Sequence, residues 1–244
     1  MRIKVISAVA IIAALAIGVT ASNASLRSEA SVKVQVSKPG APGKATITID
    51  NSDSVNVPAR VNSLVISSKV AKFNGKAVTQ CKTAVPTNAL GNNNAAEINP
   101  PCPKKSLVGK GTFVINTGIP GQPIPGDLGT LDGTFKLYNY KTSGGEQAAV
   151  LVEVLSQVPV PNAHVYIRAG VSKSGVITAA IPNTADLPPT ISNLLRNPDA
   201  SYRTTSLAKA KFTITSPRPA RGKKPFFTLK NNKNLDFSIV LNRD

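Results

Sequence analysis

The sequence predicts an all-β protein: an antiparallel β-sandwich-like domain with about eleven short strands and one short helix, preceded by a signal peptide. Three observations lead to this prediction. Apolar and polar residues alternate with a period of two along most of the chain. Turn signals rich in Gly and Pro separate these segments. No alternating segment precedes a long amphipathic helix, which argues against doubly wound folds and βα barrels.

The predicted strands follow one another in chain order. In the N-terminal half they cover Val32–Val36, Ala45–Ile49, Arg60–Ser67 and Leu107–Asn116. In the C-terminal half they cover Leu131–Tyr138, Ala148–Val158, His164–Ala169, Val176–Ile181, Ala208–Ile214, Phe227–Leu229 and Leu235–Leu241. The strand Ala148–Val158 is apolar on both faces except at Glu153, so we expect it to be central and covered on both sides.

The single helix is predicted from a short stretch near residue 190. Pro188 and Pro189 suit a first turn, and Ile191, Leu194 and Leu195 have the i, i+3, i+4 spacing of one helix face. We expect about two turns that end near Arg196.

The first 24 residues have the pattern of a secretory signal peptide. Arg2 and Lys4 precede an apolar run over residues 5–19, and small residues suited to cleavage follow at Ala21 and Ala24. The alternative is an uncleaved membrane anchor, but the run is short against the roughly 20 residues of a span. We therefore expect a secreted or cell-envelope protein. Residues 25–244 are predicted to form a single domain, with a possible subdomain boundary in the Pro/Gly loop at 118–129.

Cys81 and Cys102 are the only cysteines, and in an exported chain one pair predicts a disulfide. A redox pair is usually spaced C-x-x-C, and a metal site needs more ligands nearby. The bond is expected to pin the long intervening loop.

The segment around these cysteines resembles a known family. Phe73-Asn74-Gly75-Lys76 leads to Cys81, and Cys102-Pro103 opens a C-P-x-x-S-x-V-G-x-G pattern that ends at Gly111. Both are similar to a family of exported β-rich bacterial proteins of uncharacterised function, mostly from high-GC Gram-positive bacteria. The resemblance implies an exported β-rich protein and transfers no catalytic residue.

The composition excludes several functional classes. Aromatic residues are 5% of the chain and Trp is absent, which weighs against aromatic sugar platforms and base stacking. One His, two Cys and one Met leave few ligands for a transition metal, so no metal and no cofactor are predicted.

Catalytic groups are few as well. His164 is interpreted as a lone surface histidine; a Ser-His-Asp arrangement stays open, although no Gly-x-Ser-x-Gly elbow occurs. Asp127, Asp132, Glu146 and Glu153 are interpreted as solvated acids of turns rather than a glycosidase pair. The sequence therefore predicts no catalytic residue.

The clearest indication of function in the sequence is its excess of positive charge. The chain carries 29 Lys and Arg against 12 Asp and Glu, a net charge of +17. The loop at 216–225 contains Arg218, Arg221, Lys223 and Lys224, and the strand before it carries Lys209 and Lys211. These six residues are the predicted anion-binding site, with a solvated loop as the alternative.

The sequence thus predicts an exported, non-enzymatic structural or binding protein of the bacterial cell surface. Its expected partners are anionic cell-wall polymers or lipid headgroups, and nucleic acid is not expected. Two alternatives stay open: a hydrolase acting on wall or lipid substrates, and a scaffold that binds partners through its sheet edges.

Overall fold

The computed structural model describes residues 29–51, 56–57, 59–85, 98–126, 129–158, 163–187, 192–217, 219, 222, 224–230 and 237–243. The first six strands are β1 (Glu29–Gln35), β2 (Lys44–Asp50), β3 (Val61–Ser68), β4 (Ala71–Phe73), β5 (Leu107–Gly118) and β6 (Thr130–Tyr140). The next six are β7 (Glu146–Val158), β8 (Ala163–Ser172), β9 (Ile177–Ala180), β10 (Thr204–Thr215), β11 (Phe227–Leu229) and β12 (Phe237–Arg243). Short 3₁₀ helices span Lys104–Ser106 and Thr184–Asp186.

Ten of these strands form one continuous antiparallel sheet. Its order is β1-β2-β10-β5-β6-β7-β8-β9-β3-β12, and the edge strands β1 and β12 approach each other. The sheet therefore curls into a nearly closed barrel. The two facing layers expected of a sandwich-like domain are two sides of this one sheet. The all-β, antiparallel prediction with about eleven strands is confirmed.

The barrel follows from the period-two alternation. In β2, Ala45, Ile47 and Ile49 are buried, whereas the intervening Thr46 and Thr48 face outward. Ile47 and Ile49 are each 1% exposed, and full burial of such a side chain contributes about 1.5–3 kcal/mol. The same alternation on the other strands fills the interior with Val, Ile, Leu and Phe side chains.

One end of the barrel is closed by a separate two-stranded sheet. β4 pairs with β11, with Phe73 opposite Phe227. The Phe73 ring lies 6.0 Å from that of Phe226 and 5.1 Å from that of Phe227, between ring centroids. All three side chains belong to the main core, so this end is filled by aromatic rings.

The predicted disulfide is present and holds a second, smaller core on the outside of the barrel. Cys81 and Cys102 are bonded, with 5.1 Å between their Cα atoms. Cys81 and Ile98 pack with Ala149, Leu151 and Tyr166, which belong to the outer faces of β7 and β8. The expectation that β7 is covered on both sides is confirmed, since Val150 and Val154 are buried inside the barrel.

Other predicted features lie partly or wholly outside the described residues. The signal peptide over 1–24 is one of them. Of the predicted helix, residues 192–196 are described and form a turn, with hydrogen bonds from Leu195 N to Ser192 O and from Arg196 N to Asn193 O. The loop at 118–129, the candidate subdomain boundary, connects β5 and β6, and these two strands pair directly in the same sheet. In the described part of the chain, no helix has the length and apolar character needed to span a membrane.

Candidate functional site

Lysines from five neighbouring strands share one outer surface of the barrel, which we call the lysine face. It contains Lys33, Lys44, Lys110, Lys136, Lys209 and Lys211, and all six are exposed. Directly paired residues of neighbouring antiparallel strands point to the same side of a sheet. The registers of β1, β2, β10, β5 and β6 therefore bring these side chains together.

The central row of this face places two like charges side by side. Lys110 of β5 lies directly opposite Lys136 of β6. Side chains at such positions start about 5 Å apart, and like charges there are destabilising. The row continues through Thr213 and Thr46, whose hydroxyls lie 3.0 Å apart, to Lys33 on β1. At about 4.8 Å per strand, Lys33 lies about 14 Å from Lys110.

Among the described residues, two lysines of the face lie close to carboxylates. Lys209 Nζ lies 3.9 Å from Asp50 Oδ2, and Lys136 Nζ lies 3.2 Å from Glu153 Oε2. Within the described residues, Lys33, Lys44, Lys110 and Lys211 form no ion pair. A shallow groove crosses the same surface and is lined by hydroxyl, carboxylate and ammonium groups, among them Thr48, Thr112, Asp132, Lys209 and Lys211.

The structure places the predicted anion-binding residues in two groups. Lys209 and Lys211 are exposed on β10 and belong to the lysine face. Lys224 is exposed, whereas Arg218, Arg221 and Lys223 lie outside the described residues. Sequence reasoning missed Lys33, Lys44, Lys110 and Lys136 as members of the site. Alternation shows that they face outward, but the pairing of β10 with both β2 and β5 is what groups them.

His164 belongs to a hydrogen-bonded network centred on Glu153. Its Nδ1 lies 3.1 Å from Glu153 Oε1, and the Tyr138 hydroxyl donates to Glu153 Oε2 at 3.2 Å. The Tyr166 hydroxyl lies 3.4 Å from Glu153 Oε1 and accepts a hydrogen bond from Ile98 N.

Two sequence interpretations are therefore wrong. Glu153 is 5% exposed rather than solvated, and the His164 side chain is 13% exposed rather than on the surface. The physical reason is the segment that carries Ile98, which covers the outer faces of β7 and β8. Both Glu153 oxygens are engaged, as a buried carboxylate requires.

A second carboxylate, Glu146, is half-buried and forms an ion pair with Arg168 on the neighbouring strand. Burial alone would raise the pKa of Glu146, but hydrogen bonds from Arg168 and Ser143 outweigh it and hold this pKa below its ordinary value. Among the described residues, no three His, Cys, Asp or Glu side chains are grouped to hold a metal ion. The networks of Glu153 and Glu146 link neighbouring strands of the barrel. The lysine face is a separate feature, a cationic surface that strand pairing brings together.

Comparison of this chain with models of known protein families, with curated proteins and with solved structures found no match. The resemblance of the C-P-x-x-S-x-V-G-x-G segment therefore stays a sequence-based expectation.

Proposed function

We propose that this protein is an exported, non-enzymatic binding protein whose lysine face holds an anionic polymer of the bacterial cell surface. The observation that carries the proposal is the pair Lys110 and Lys136, placed directly opposite each other in a row that also includes Lys33. Opposed like charges cost folding stability, and the ion pair with Glu153 offsets this repulsion only on the Lys136 side. An anionic partner that contacts Lys110 relieves the remaining repulsion and is attracted by the whole face.

The chemistry of the face favours a polymer over a membrane. Its rows contain Thr hydroxyls between the ammonium groups, which suit repeated phosphate or carboxylate groups along a chain. The large apolar side chains exposed in the described part of the chain are Leu107, Ile119, Leu194 and Tyr202. Of these, only Leu107, at the first position of β5, belongs to the five strands of the face. Insertion into a lipid surface draws on exposed apolar side chains as well as charge.

The basic loop at 216–225 extends this proposal. It follows β10 directly, so its cations are close in sequence to the strand that carries Lys209 and Lys211. We assign Arg218, Arg221, Lys223 and Lys224 to the same anion-binding function, as the sequence predicted.

The test is the salt dependence of binding to long-chain polyphosphate. The variant Lys33→Gln/Lys110→Gln/Lys211→Gln removes three exposed charges that form no ion pair in the described structure. Each lost contact reduces the slope of log K against log salt by roughly 0.7–0.9, so we expect a total reduction of about two to three. Folding stability should equal or slightly exceed that of the wild type, because exposed charges contribute little to it and Lys110→Gln removes the like charge opposite Lys136.

The matched control changes net charge equally on other surfaces. Lys72, Lys76 and Lys173 are exposed and lie outside the five strands of the lysine face. Their substitution by Gln should leave the slope nearly unchanged. Equal losses in both triple variants would mean that binding follows net charge alone and would reject the lysine face. Binding to anionic phosphatidylglycerol vesicles but not to polyphosphate would replace the polymer with a membrane surface.

A further inference from the structure

The barrel interior contains an apolar, partly open cavity of about 150 Å³. Its wall comes from β2, β3 and β5 through β10, and includes Phe113, Phe135, Val154, Val165 and Phe212. A ten-stranded barrel is wider than the eight-stranded type whose interior side chains just fill it. A second cavity of about 70 Å³ shares Leu64, Phe135, Val152 and Phe212 with the first, so the space extends along the barrel axis.

The cavity lies away from the barrel end that is closed by Phe73, Phe226 and Phe227. Ser156, Leu131 and Leu207 line it, and they belong to the barrel end opposite β4 and β11. The connection after β9 covers this end, since Ile181, Pro182 and Leu187 also contribute to the lining. Close-packed protein interiors hold few voids larger than a water molecule, and a cavity of this size has room for a small organic molecule.

One polar side chain in the wall has no partner. Ser156 continues the inward-facing row of Val150, Val152 and Val154 on β7 and is 5% exposed. Its Oγ is buried and has no hydrogen-bond partner within the described residues. Buried hydroxyls are almost always hydrogen-bonded, and an exception points to a missing partner. Since Ser156 lines the cavity, a molecule inside it is in position to supply that partner.

We infer that the barrel interior binds a small, mainly apolar molecule that carries one hydrogen-bonding group, which pairs with the Ser156 hydroxyl. An apolar cavity of about 150 Å³ accommodates a molecule the size of benzene. The apolar walls select against charged or strongly hydrated ligands, because these would lose their hydration without replacement. This site is independent of the lysine face, which occupies the outer surface of the same sheet.

Phenol and toluene are matched probes, because they have similar shape and differ by a hydroxyl in place of a methyl group. Methyl NMR of the full protein should show saturable shifts at Val154 and Val165, which line the cavity, and not at Val171, which does not. Ser156→Ala should weaken phenol binding by roughly threefold to tenfold and leave toluene binding unchanged or stronger. The folded state should tolerate this substitution, since the hydroxyl has no partner in the described structure.

The second part of the test fills the cavity with a larger side chain. Ala179→Leu adds a side chain that projects into the space and should abolish the binding of both probes. If that variant does not fold, Val165→Ile adds one methylene and should weaken both probes in part. Absence of saturable shifts with either probe would overturn the ligand site. Equal phenol affinity of wild type and Ser156→Ala would overturn the role of Ser156. The triple lysine variant should bind both probes normally, which separates this inference from the proposed function.

Discussion

Phe113 of β5 lies over Gly133 of β6, its direct cross-strand partner. A Cβ atom added at Gly133 would come within 2.7 Å of Phe113 Cζ and would also contact the Leu155 carbonyl oxygen. Phe113 in turn packs on Phe135, with 4.8 Å between ring centroids. The missing side chain at Gly133 therefore makes room for the aromatic wall of the barrel interior.

Gly133→Ala should consequently destabilise the protein by about 1–3 kcal/mol, because the ring and the strand must move apart. Urea unfolding measures the change. Gly144→Ala is the matched control, since nothing lies within 4 Å of an added Cβ there. A loss at Gly133 no larger than that at Gly144 would contradict the close approach.

The Cys81–Cys102 bond should contribute to stability through the loop that it closes. The chain-entropy relation gives about 3 kcal/mol for a loop of this length. We expect Cys81→Ala/Cys102→Ala to unfold at a correspondingly lower urea concentration. The wild-type protein in reducing buffer is the companion measurement, and two free thiols in the non-reduced wild type would refute the bond itself.

The Glu146–Arg168 pair predicts an acid-dependent component of stability. The folded-state pKa of Glu146 lies below its ordinary value, so the unfolded state binds a proton first as the pH falls. The contribution of the pair is therefore complete above the unfolded-state pKa and is lost as the pH falls through the folded-state pKa. The stability difference between wild type and Glu146→Gln should shrink between about pH 6 and about pH 3. A difference that stays constant over this range would argue against the lowered pKa.

Much of the fold could be predicted from local pattern. The alternation of Ala45, Ile47 and Ile49 with Thr46 and Thr48 identifies a strand with one buried face, because a period of two matches the pleat of a sheet. Similarly, the run of apolar residues around Glu153 correctly indicated a strand covered on both sides. The single cysteine pair correctly indicated the disulfide.

The candidate sites could be predicted only in part. Lys209 and Lys211 are beside a basic loop in the sequence, whereas Lys33 is isolated. Lys110 belongs to a separate cluster with Lys104 and Lys105 near the disulfide, and nothing in the sequence joins it to that loop. In the sequence, Ser156 is a single polar residue near the end of an apolar strand and gives no sign of a binding role. The structure indicates that role, because its hydroxyl lines a cavity and has no hydrogen-bond partner within the described residues. His164 and Glu153 are eleven residues apart and meet because β7 and β8 pair in register.

The sequence by itself determined most of the strands, the apolar face of each predicted strand and the bonded cysteine pair, although it did not predict β4. These features depend on residues close in the chain, or on a cysteine pair with no alternative partner. The tertiary structure alone decided that β10 inserts between β2 and β5, and that the sheet curls until β1 approaches β12. That pairing aligns Lys33 with Lys110 on the outside and encloses the cavity beside Ser156 on the inside. Consecutive strands such as β5 to β9 pair with their chain neighbours, but the pairings of β2 with β10 and of β3 with β12 join segments more than 100 residues apart. No local pattern encodes those two pairings.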